Sequence, residues 1–394
     1  MEQSNKSDEP ECQQTTTQTD EESKKVDVSN ASSNYLNHRQ QILYKDEIND
    51  FRQWCIDFGK DPDNREGMAP TTVENYLSRL DMCFRYLWGK LTEIGVLQIP
   101  MWAADQFITA LKKDEFTKDN GKPYAEASKR KFADTLKKYY AWRSNQHGIG
   151  EWDPPYDFKD GSSRPSDPFT IDERQILREG VLKFASLPSY NDCSPDQRDR
   201  IKTYLAQALG LPKKDITPDH WRRHNQSWEK ASLIYVSLDA GLRPIEVARA
   251  KIGWCRPGKM TLFIPKSDSA KNRDNWEVAL KPATAKILQK WLDERKALEK
   301  YDGTDALWLT REQNPWSSSS LNGFLRKLCS DAGIATQNRK ITWYSIRHSV
   351  GQYMVEEGGL DQAKEQLRHQ SLESTLQYKR ATIENRQNTL EKMG

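Results

Sequence analysis

The residues best suited to chemistry lie near the C-terminus, in the segment from Ile341 to Arg380. Within it Arg347, His369 and Tyr378 follow one another in an order that phosphoryl-transfer chemistry can use. A guanidinium binds phosphate oxygens through paired hydrogen bonds, a histidine moves a proton, and a tyrosine hydroxyl can act as a nucleophile. These residue types predict an anion-binding site.

Short helices are predicted to position these side chains. Thr342 can cap a helix that Gly358 and Gly359 end. On this helix Tyr344 and Arg347 lie three residues apart, so we expect them to share a face away from the apolar stripe.

The next two predicted helices carry the remaining side chains. Asp361 can cap a helix that ends near Leu367, which leaves His369 at a turn. Ser371 then opens a short helix that carries Tyr378. Each of the three side chains is therefore expected at a helix end or on a polar face.

A second arginine stands at a favourable position earlier in the chain. The segment 228–238 reads as a helix that Gly241 ends, and Arg243 precedes Pro244 at the start of the next helix. Backbone amides at a helix N-terminus attract phosphate. An arginine before a proline is common in surface turns, so a plain surface role is the alternative.

The order of these residues resembles the conserved boxes of the tyrosine recombinase (phage integrase) family. Arg347 with His348 matches the middle box, and the string RHQSLESTLQY matches the third box through His369 and the nucleophile through Tyr378. The string AGLRPIEVARAK matches the first box through Arg243. The strings WYSIRHSVG and LRHQSLESTLQY are similar to those of integrases from archaeal mobile elements.

Two positions depart from the family pattern. Tyr344 stands where the family usually has His, which leaves open whether position 344 does acid/base work or only hydrogen-bonds a phosphate. Arg368 stands where the family usually has Gly, and we expect this change to matter little chemically.

The resemblance implies a catalytic lysine on a β-hairpin. The segments 260–265 and 276–280 read as paired strands with a loop between them. Spacing counted from the second strand favours Lys271, and spacing counted from the first favours Lys266. We choose Lys271.

The resemblance also implies the mechanism. Tyr378 attacks a DNA phosphodiester to form a 3′ phosphotyrosyl bond, two arginines and His369 stabilise the phosphate, and the lysine protonates the leaving 5′ oxygen. The positive charge comes from side chains, so we expect neither a metal nor a cofactor. The implied catalytic set is Arg243, Lys271, Tyr344, Arg347, His369 and Tyr378.

The expected fold is mainly α-helical with a small antiparallel β-sheet. Helices between Ile42 and Trp142 suit the helical, SAM-like core-binding domain of the family, which precedes a mixed α/β catalytic domain. The expected divisions are a disordered polar tail (1–38), the core-binding domain (39–147), a linker (148–168) and the catalytic domain (169–394).

One helix of the first domain, spanning 127–142, is strongly basic. Such a face can grip DNA phosphates, and an ordinary solvated face is the alternative. The residues concerned are Lys129, Arg130, Lys131, Lys137 and Lys138.

Composition limits the other function classes. Of the 394 residues, 36% are hydrophobic and 30% charged, and no apolar run reaches membrane-spanning length. The six Cys are scattered, which predicts reduced thiols and a cytoplasmic protein.

His220 and His224 could face one metal on a helix, but no third ligand is near, so a polar face is preferred. Residues 1–25 carry seven acids and three bases, and the whole chain is +3, so the remainder carries +7.

The expected partner is double-stranded DNA. The resemblance implies a homotetramer on DNA, a monomer or dimer when free, and a role in integrating, excising or resolving DNA of a mobile element. The alternatives are a type IB topoisomerase with the same chemistry and a non-catalytic DNA-binding protein derived from a recombinase.

Overall fold

The chain forms two compact units, Met1–Ser163 and Arg164–Gly394. Their boundary falls within the segment 148–168 that the sequence pattern assigns to a linker. No described helix is long and apolar enough to cross a membrane. The computed structural model describes residues 26–91, 98–159, 165–184, 186–270, 274–379 and 383–393.

The first unit is helical, as predicted for the segment between Ile42 and Trp142. Aromatic side chains fill its core, with Phe51, Phe84 and Tyr139 fully buried. Burial of these large apolar side chains is the main source of the unit's stability. The helices are α1 (Asn30–Ser33), α2 (His38–Asp57), α3 (Pro70–Lys90), α4 (Met101–Lys112) and α5 (Glu126–His147).

Residues 26–37 pack against this unit, although the sequence pattern places them in the polar tail. The Val26 amide donates to Asn49 Oδ1 at 2.9 Å, and Leu36 is buried. The Asn37 side chain accepts the Gln40 amide at 3.0 Å and caps α2. The predicted tail residues 1–25 lie outside the described residues.

Both ends of the predicted linker are anchored within their own unit. In the first unit, the indole of Trp152 donates to Asp105 Oδ1 at 2.9 Å. In the second unit, Phe169 is buried, and the hydroxyl groups of Ser166 and Thr342 share a hydrogen bond of 2.6 Å.

The second unit combines helices with a three-stranded antiparallel sheet, and the expected fold class is confirmed. The strands β1 (Cys255–Arg256), β2 (Thr261–Ile264) and β3 (Trp276–Ala279) lie side by side in that order. The helices are α6 (Ile171–Val181), α7 (Pro195–Leu209), α8 (Pro218–Arg223), α9 (Trp228–Ala240), α10 (Pro244–Arg249), α11 (Pro282–Arg295), α12 (Ser318–Asp331), α13 (Trp343–Leu367), α14 (Glu373–Leu376) and α15 (Ile383–Lys392).

The predicted β-hairpin is confirmed as β2 and β3. Thr261 pairs with Ala279 and Ile264 with Trp276, so the connecting loop spans 265–275. Lys271 lies outside the described residues. The other lysine candidate, Lys266, is exposed two residues after the end of β2.

Helix α9 forms the centre of the second unit, because nearly all of its side chains are buried. It packs against α6, α11 and α13. Gly241 ends it with φ of +57°, and a Cβ at this position would lie 2.8 Å from the Leu367 side chain. Glycine therefore suits this position in both conformation and space.

The histidine pair considered as a metal site lies around α8. His220 Nδ1 accepts the Thr217 amide at 3.2 Å, at the start of that helix. Within the described ranges, His, Cys, Asp and Glu side chains form no group of three that could hold a metal ion.

Candidate active site

Helix α13 carries the central arginine into the interior of the unit. Thr342 is the N-cap, as predicted, and its amide donates to Ser345 Oγ at 3.1 Å. The helix is interrupted at Gly359 (φ 79°, ψ 179°) and then continues to Leu367, so the two predicted helices form one broken helix.

Arg347 is 2% exposed and hydrogen-bonds to the C-terminal ends of both α9 and α13. Its Nη1 donates to the Gly241 carbonyl at 2.7 Å, and its Nη2 donates to the Leu367 carbonyl. Burial, together with the positive charges of Arg368 and Arg243, lowers the pKa of Arg347 to about 9. The group stays protonated at neutral pH, and an anion would relieve this repulsion.

Tyr344 and Arg347 lie three residues apart on α13, as expected, but differ in exposure. The side chain of Tyr344 is 43% exposed, whereas that of Arg347 is 2% exposed, so the face expected to lie away from the apolar stripe is exposed at Tyr344 and buried at Arg347. The Tyr344 ring instead lies 6.2 Å from the ring of His348, one turn further along.

Arg243 reaches the site from the N-terminus of α10. Its amide donates to Glu246 Oε2 at 2.7 Å, and its Nη1 donates to Glu246 Oε1 at 2.9 Å. The carboxylate therefore holds both the backbone and the guanidinium of Arg243. The side chain of Arg243 remains 23% exposed, which leaves room for a further anionic ligand.

Glu246 is buried and is shared with a second arginine, Arg368. The Arg368 Nε and Nη2 atoms donate to the two carboxylate oxygens at 3.1 and 2.8 Å. Burial alone would raise the pKa of Glu246, but the charges of Arg368, Arg347 and Arg243 outweigh it and lower the pKa to about 2. Glu246 therefore stays ionised and balances part of the arginine charge.

Arg368 also binds the backbone. It is 4% exposed, has φ of +58°, and donates to the Ala240 and Gln366 carbonyls at 2.7 Å each. The expectation that an arginine at this position changes little chemically is wrong, because Arg368 neutralises a buried carboxylate. The sequence carries no local signal for this pairing, since Glu246 lies 122 residues away.

His369 follows immediately, at the turn after α13. Its ring is 6% exposed, and its Nδ1 lies 2.9 Å from Thr375 Oγ1. Burial and the charges of Arg347 and Arg243 lower the pKa of His369 to about 3. The ring is neutral in the free protein, and a bound phosphate would favour its protonation.

Tyr378 lies two residues beyond α14 and is 7% exposed. Its ring is parallel to that of His369, with the centroids 6.1 Å apart. Its hydroxyl lies 3.0 Å from His348 Nδ1. Burial raises the pKa of the hydroxyl, although Arg347 and Arg243 act in the opposite direction.

The Tyr378 ring rests against a glycine of α13. A Cβ at Gly351 would lie 2.8 Å from three carbons of that ring. The close approach requires a residue without a side chain. Sequence reasoning did not single out Gly351, and only its i+3 spacing from His348 hints at a shared face.

The four residues Arg243, Arg347, His369 and Tyr378 are thus brought together, since both arginines act on the pKa of His369 and of Tyr378. The hairpin loop also reaches this region, because Gln370 Nε2 donates to Asp274 Oδ2 at 3.1 Å. The arrangement can bind an anion beside a tyrosine hydroxyl.

The basic residues of α5 have different environments. Lys129 is buried, with its ammonium group 2.7 Å from Asp114 and 3.1 Å from Glu126, so it serves the packing of its own unit. Lys137 pairs with Asp153 at 2.9 Å, and Lys138 donates to the Gly59 carbonyl at 2.6 Å. Arg130 and Lys131 are exposed.

Comparison with known proteins agrees with this picture. Residues 217–385 match the model of the phage integrase family. No curated protein sequence matches the chain.

Solved structures match the fold. The XerH site-specific recombinase bound to difH substrate is 15% identical, with a TM-score of 0.52, and the match covers 91% of this chain and 90% of that one. The Tn1549 transposon integrase in complex with a circular intermediate DNA is 14% identical, with a TM-score of 0.50, and the match covers 89% and 98%.

Proposed function

We propose that this chain, whose residues 217–385 match the model of the phage integrase family, is a member of that family and cuts and rejoins DNA through a covalent bond between Tyr378 and a DNA phosphate. The reaction is site-specific recombination. The hydroxyl of Tyr378 attacks the phosphorus, the 5′ oxygen leaves, and a 5′ hydroxyl later reverses the step.

Each neighbouring group has a task in this reaction. Arg243 and Arg347 bind the non-bridging oxygens, where negative charge develops, and His369 donates to one of them through Nε2. The general acid for the 5′ oxygen is the hairpin lysine, Lys271 or Lys266. Tyr344 donates a hydrogen bond to the phosphate.

One observation carries the proposal. The Tyr378 hydroxyl lies beside the Arg347 guanidinium, which acts on it electrostatically, and beside His348 at 3.0 Å. A tyrosine kept for packing alone has no need of three neighbouring arginines, two of them buried, that share the buried carboxylate of Glu246. A phosphate would balance that charge.

DNA is the expected partner, and the basic, exposed residues Arg130 and Lys131 suit its backbone. The XerH and Tn1549 structures that share the fold contain DNA. Because strand exchange joins two duplexes, we propose four protomers on DNA and a monomer or dimer when free, acting in the cytoplasm on a mobile element. Helix α15, which follows Tyr378, is the segment proposed to dock onto a neighbouring protomer.

Tyr378→Phe is expected to bind DNA like the parent protein and to form no covalent adduct. The change removes one oxygen, which is the proposed nucleophile, and keeps the ring against Gly351 and His369. The measurement is a denaturing gel of protein incubated with DNA from the flanks of its own gene. Tyr156→Phe, at an exposed tyrosine of the first unit, is the matched control and should keep the adduct.

The alternatives give different outcomes in the same experiment. Adducts spread over unrelated DNA, with relaxation of a supercoiled plasmid, would favour a topoisomerase. Tight binding without an adduct in the parent protein would favour a non-catalytic DNA-binding protein and refute the proposal. A recombinase should form its adduct at one position and join that strand to a second duplex.

Gly351→Ala is expected to slow adduct formation by about 100-fold, because a displacement of roughly 1 Å at the reacting atom has that effect. The added methyl group would lie 2.8 Å from the Tyr378 ring, so the ring must shift. The measurement is the rate of adduct formation at saturating protein.

Gly323→Ala is the control for this substitution. Gly323 lies within α12, where a Cβ would meet nothing within 4 Å. Alanine should stabilise that helix by about 1 kcal/mol and leave the rate unchanged. An unchanged rate in Gly351→Ala would show that the fit of the ring against α13 does not matter for the reaction.

A further inference from the structure

His348 lies within hydrogen-bond distance of the reacting oxygen, yet the mechanism above gives it no task. Its Nδ1 lies 3.0 Å from the Tyr378 hydroxyl. His348, Tyr344 and Gly351 share one face of α13 because of their i, i+4 and i, i+3 spacing. The Tyr378 ring therefore lies across the turn that runs from His348 to Gly351.

We propose that His348 is the general base that takes the proton of Tyr378 during strand cleavage. This inference rests on the proposed function, in which Tyr378 is the nucleophile. The distance already suits proton transfer, since a general base must lie about 2.6–3.2 Å from the proton donor.

The proton balance of the reaction is complete with this assignment. As the bond from Tyr378 Oη to phosphorus forms, the hydroxyl proton moves to Nδ1 of His348, and the bond from phosphorus to the 5′ oxygen breaks. The leaving 5′ oxygen takes a proton from the hairpin lysine. In rejoining, the 5′ hydroxyl returns its proton to the lysine, and His348 returns the other to Tyr378.

The second histidine of the site is less suited to this task. His369 uses Nδ1 for Thr375 at 2.9 Å, and its ring is parallel to the Tyr378 ring. Its lone pair lies in the plane of its own ring, so it is not directed across the gap between parallel rings. This geometry suits His369 to donating to the phosphate and His348 to accepting the proton of the Tyr378 hydroxyl.

The charges around His348 keep it neutral and able to accept a proton. Burial, Arg347 and Lys340 lower the pKa of His348 below its usual value near 6.5. The other groups that face it are the phenols of Tyr344 and Tyr378. A bound DNA phosphate adds negative charge nearby, which raises the affinity of His348 for a proton at the moment of attack.

His348→Gln tests the assignment, because glutamine can keep a hydrogen bond to the hydroxyl but cannot take its proton. The expected result is a 100- to 10,000-fold lower rate of adduct formation near pH 7. The parent rate should fall as the pH drops through the pKa of His348 and level off above it. The variant should lack this plateau and rise steadily with pH, since it depends on the tyrosinate.

A second substrate separates the two proton transfers. A DNA strand with sulfur in place of the leaving 5′ oxygen needs no general acid, because a thiolate leaves without a proton. This substrate should restore Lys271→Ala or Lys266→Ala, whichever lysine is the acid, and should leave His348→Gln slow. Rescue of His348→Gln by the sulfur substrate would assign His348 to the leaving group and overturn the proposal.

The controls separate failure of the inference from failure of the proposed function. If the parent protein forms no adduct, the proposed function fails. If it does and His348→Gln matches its rate and pH profile, only the role of His348 is refuted. His220→Gln, the same change at the start of α8, should have no effect. If His348→Gln does not fold, a parent rate that does not fall at any acidic pH at which the protein stays folded refutes the role.

Discussion

Arg347→Lys is expected to lower the rate of adduct formation by about 100- to 1,000-fold, which is the usual effect of losing one donor that stabilises developing charge. The guanidinium of Arg347 binds the Gly241 and Leu367 carbonyls while its charge acts on Tyr378. A lysine donates from a single nitrogen and lacks the planar fork of a guanidinium. It therefore cannot reach both carbonyls and the region of Tyr378 together.

The same substitution should also lower the free energy of unfolding by about 1–3 kcal/mol, because a buried carbonyl loses its donor. Rates are therefore measured well below the melting temperature of each variant. Arg222→Lys, at an arginine of α8 whose side chain is 75% exposed, is the control and should change neither quantity. A stability loss with a rate within threefold of the parent would make Arg347 purely structural.

Arg368→Gly is expected to lower the free energy of unfolding by about 2–4 kcal/mol. Glycine suits the φ of +58° and relieves strain of roughly 1 kcal/mol, which acts in the opposite direction. The larger effect is the loss of the buried partner of Glu246, because removing one member of a buried ion pair costs about 3–5 kcal/mol. Arg243 still binds the carboxylate, which keeps the expected loss towards the lower end of that range. Chemical denaturation of the folded protein measures the difference.

The pH dependence of this effect follows from the lowered pKa of Glu246. Its pKa is about 2 in the folded protein, against 4.5 ordinarily, so its contribution is fully present above about pH 5 and is lost as the pH falls towards 2. The difference in free energy of unfolding between the parent protein and Arg368→Gly should therefore become smaller as the pH falls over that range.

A double variant identifies the cause of the destabilisation. Glu246→Gln added to Arg368→Gly removes the buried carboxylate that has lost its Arg368 partner, so the double variant should be more stable than Arg368→Gly alone. In the parent background, Glu246→Gln should be destabilising. If Arg368→Gly is more stable than the parent, backbone strain at residue 368 outweighs the ion pair.

Local signals in the sequence predicted the helices and the hairpin. The Gly241 and Gly359 breaks, the Thr342 cap and the apolar spacing of α2 to α5 act between residues a few positions apart, so they can be read directly from the chain. The order of Arg243, Arg347, His369 and Tyr378 likewise predicted a catalytic set. The structure places these four side chains near one another, and their catalytic role stays a prediction. The choice between Lys266 and Lys271 stays a prediction.

The density of positive charge in the sequence of α5 did not show which of its basic side chains are exposed, because burial decides this. Lys129 belongs to a basic stretch, but two carboxylates enclose it, while its neighbours Arg130 and Lys131 are exposed. A run of lysines does not reveal which side chain faces the core. That depends on how the helix rotates against its neighbours, which the whole core determines.

The sequence by itself determined which residue types are available, in what order, and on which helices they lie. The tertiary structure alone decided that Arg347 points inward while Tyr344 faces out, that Arg368 pairs with Glu246, and that His348 meets Tyr378. These contacts join residues 30 to 122 positions apart. No local periodicity specifies them, because they form only when separate helices pack and buried charges must find partners.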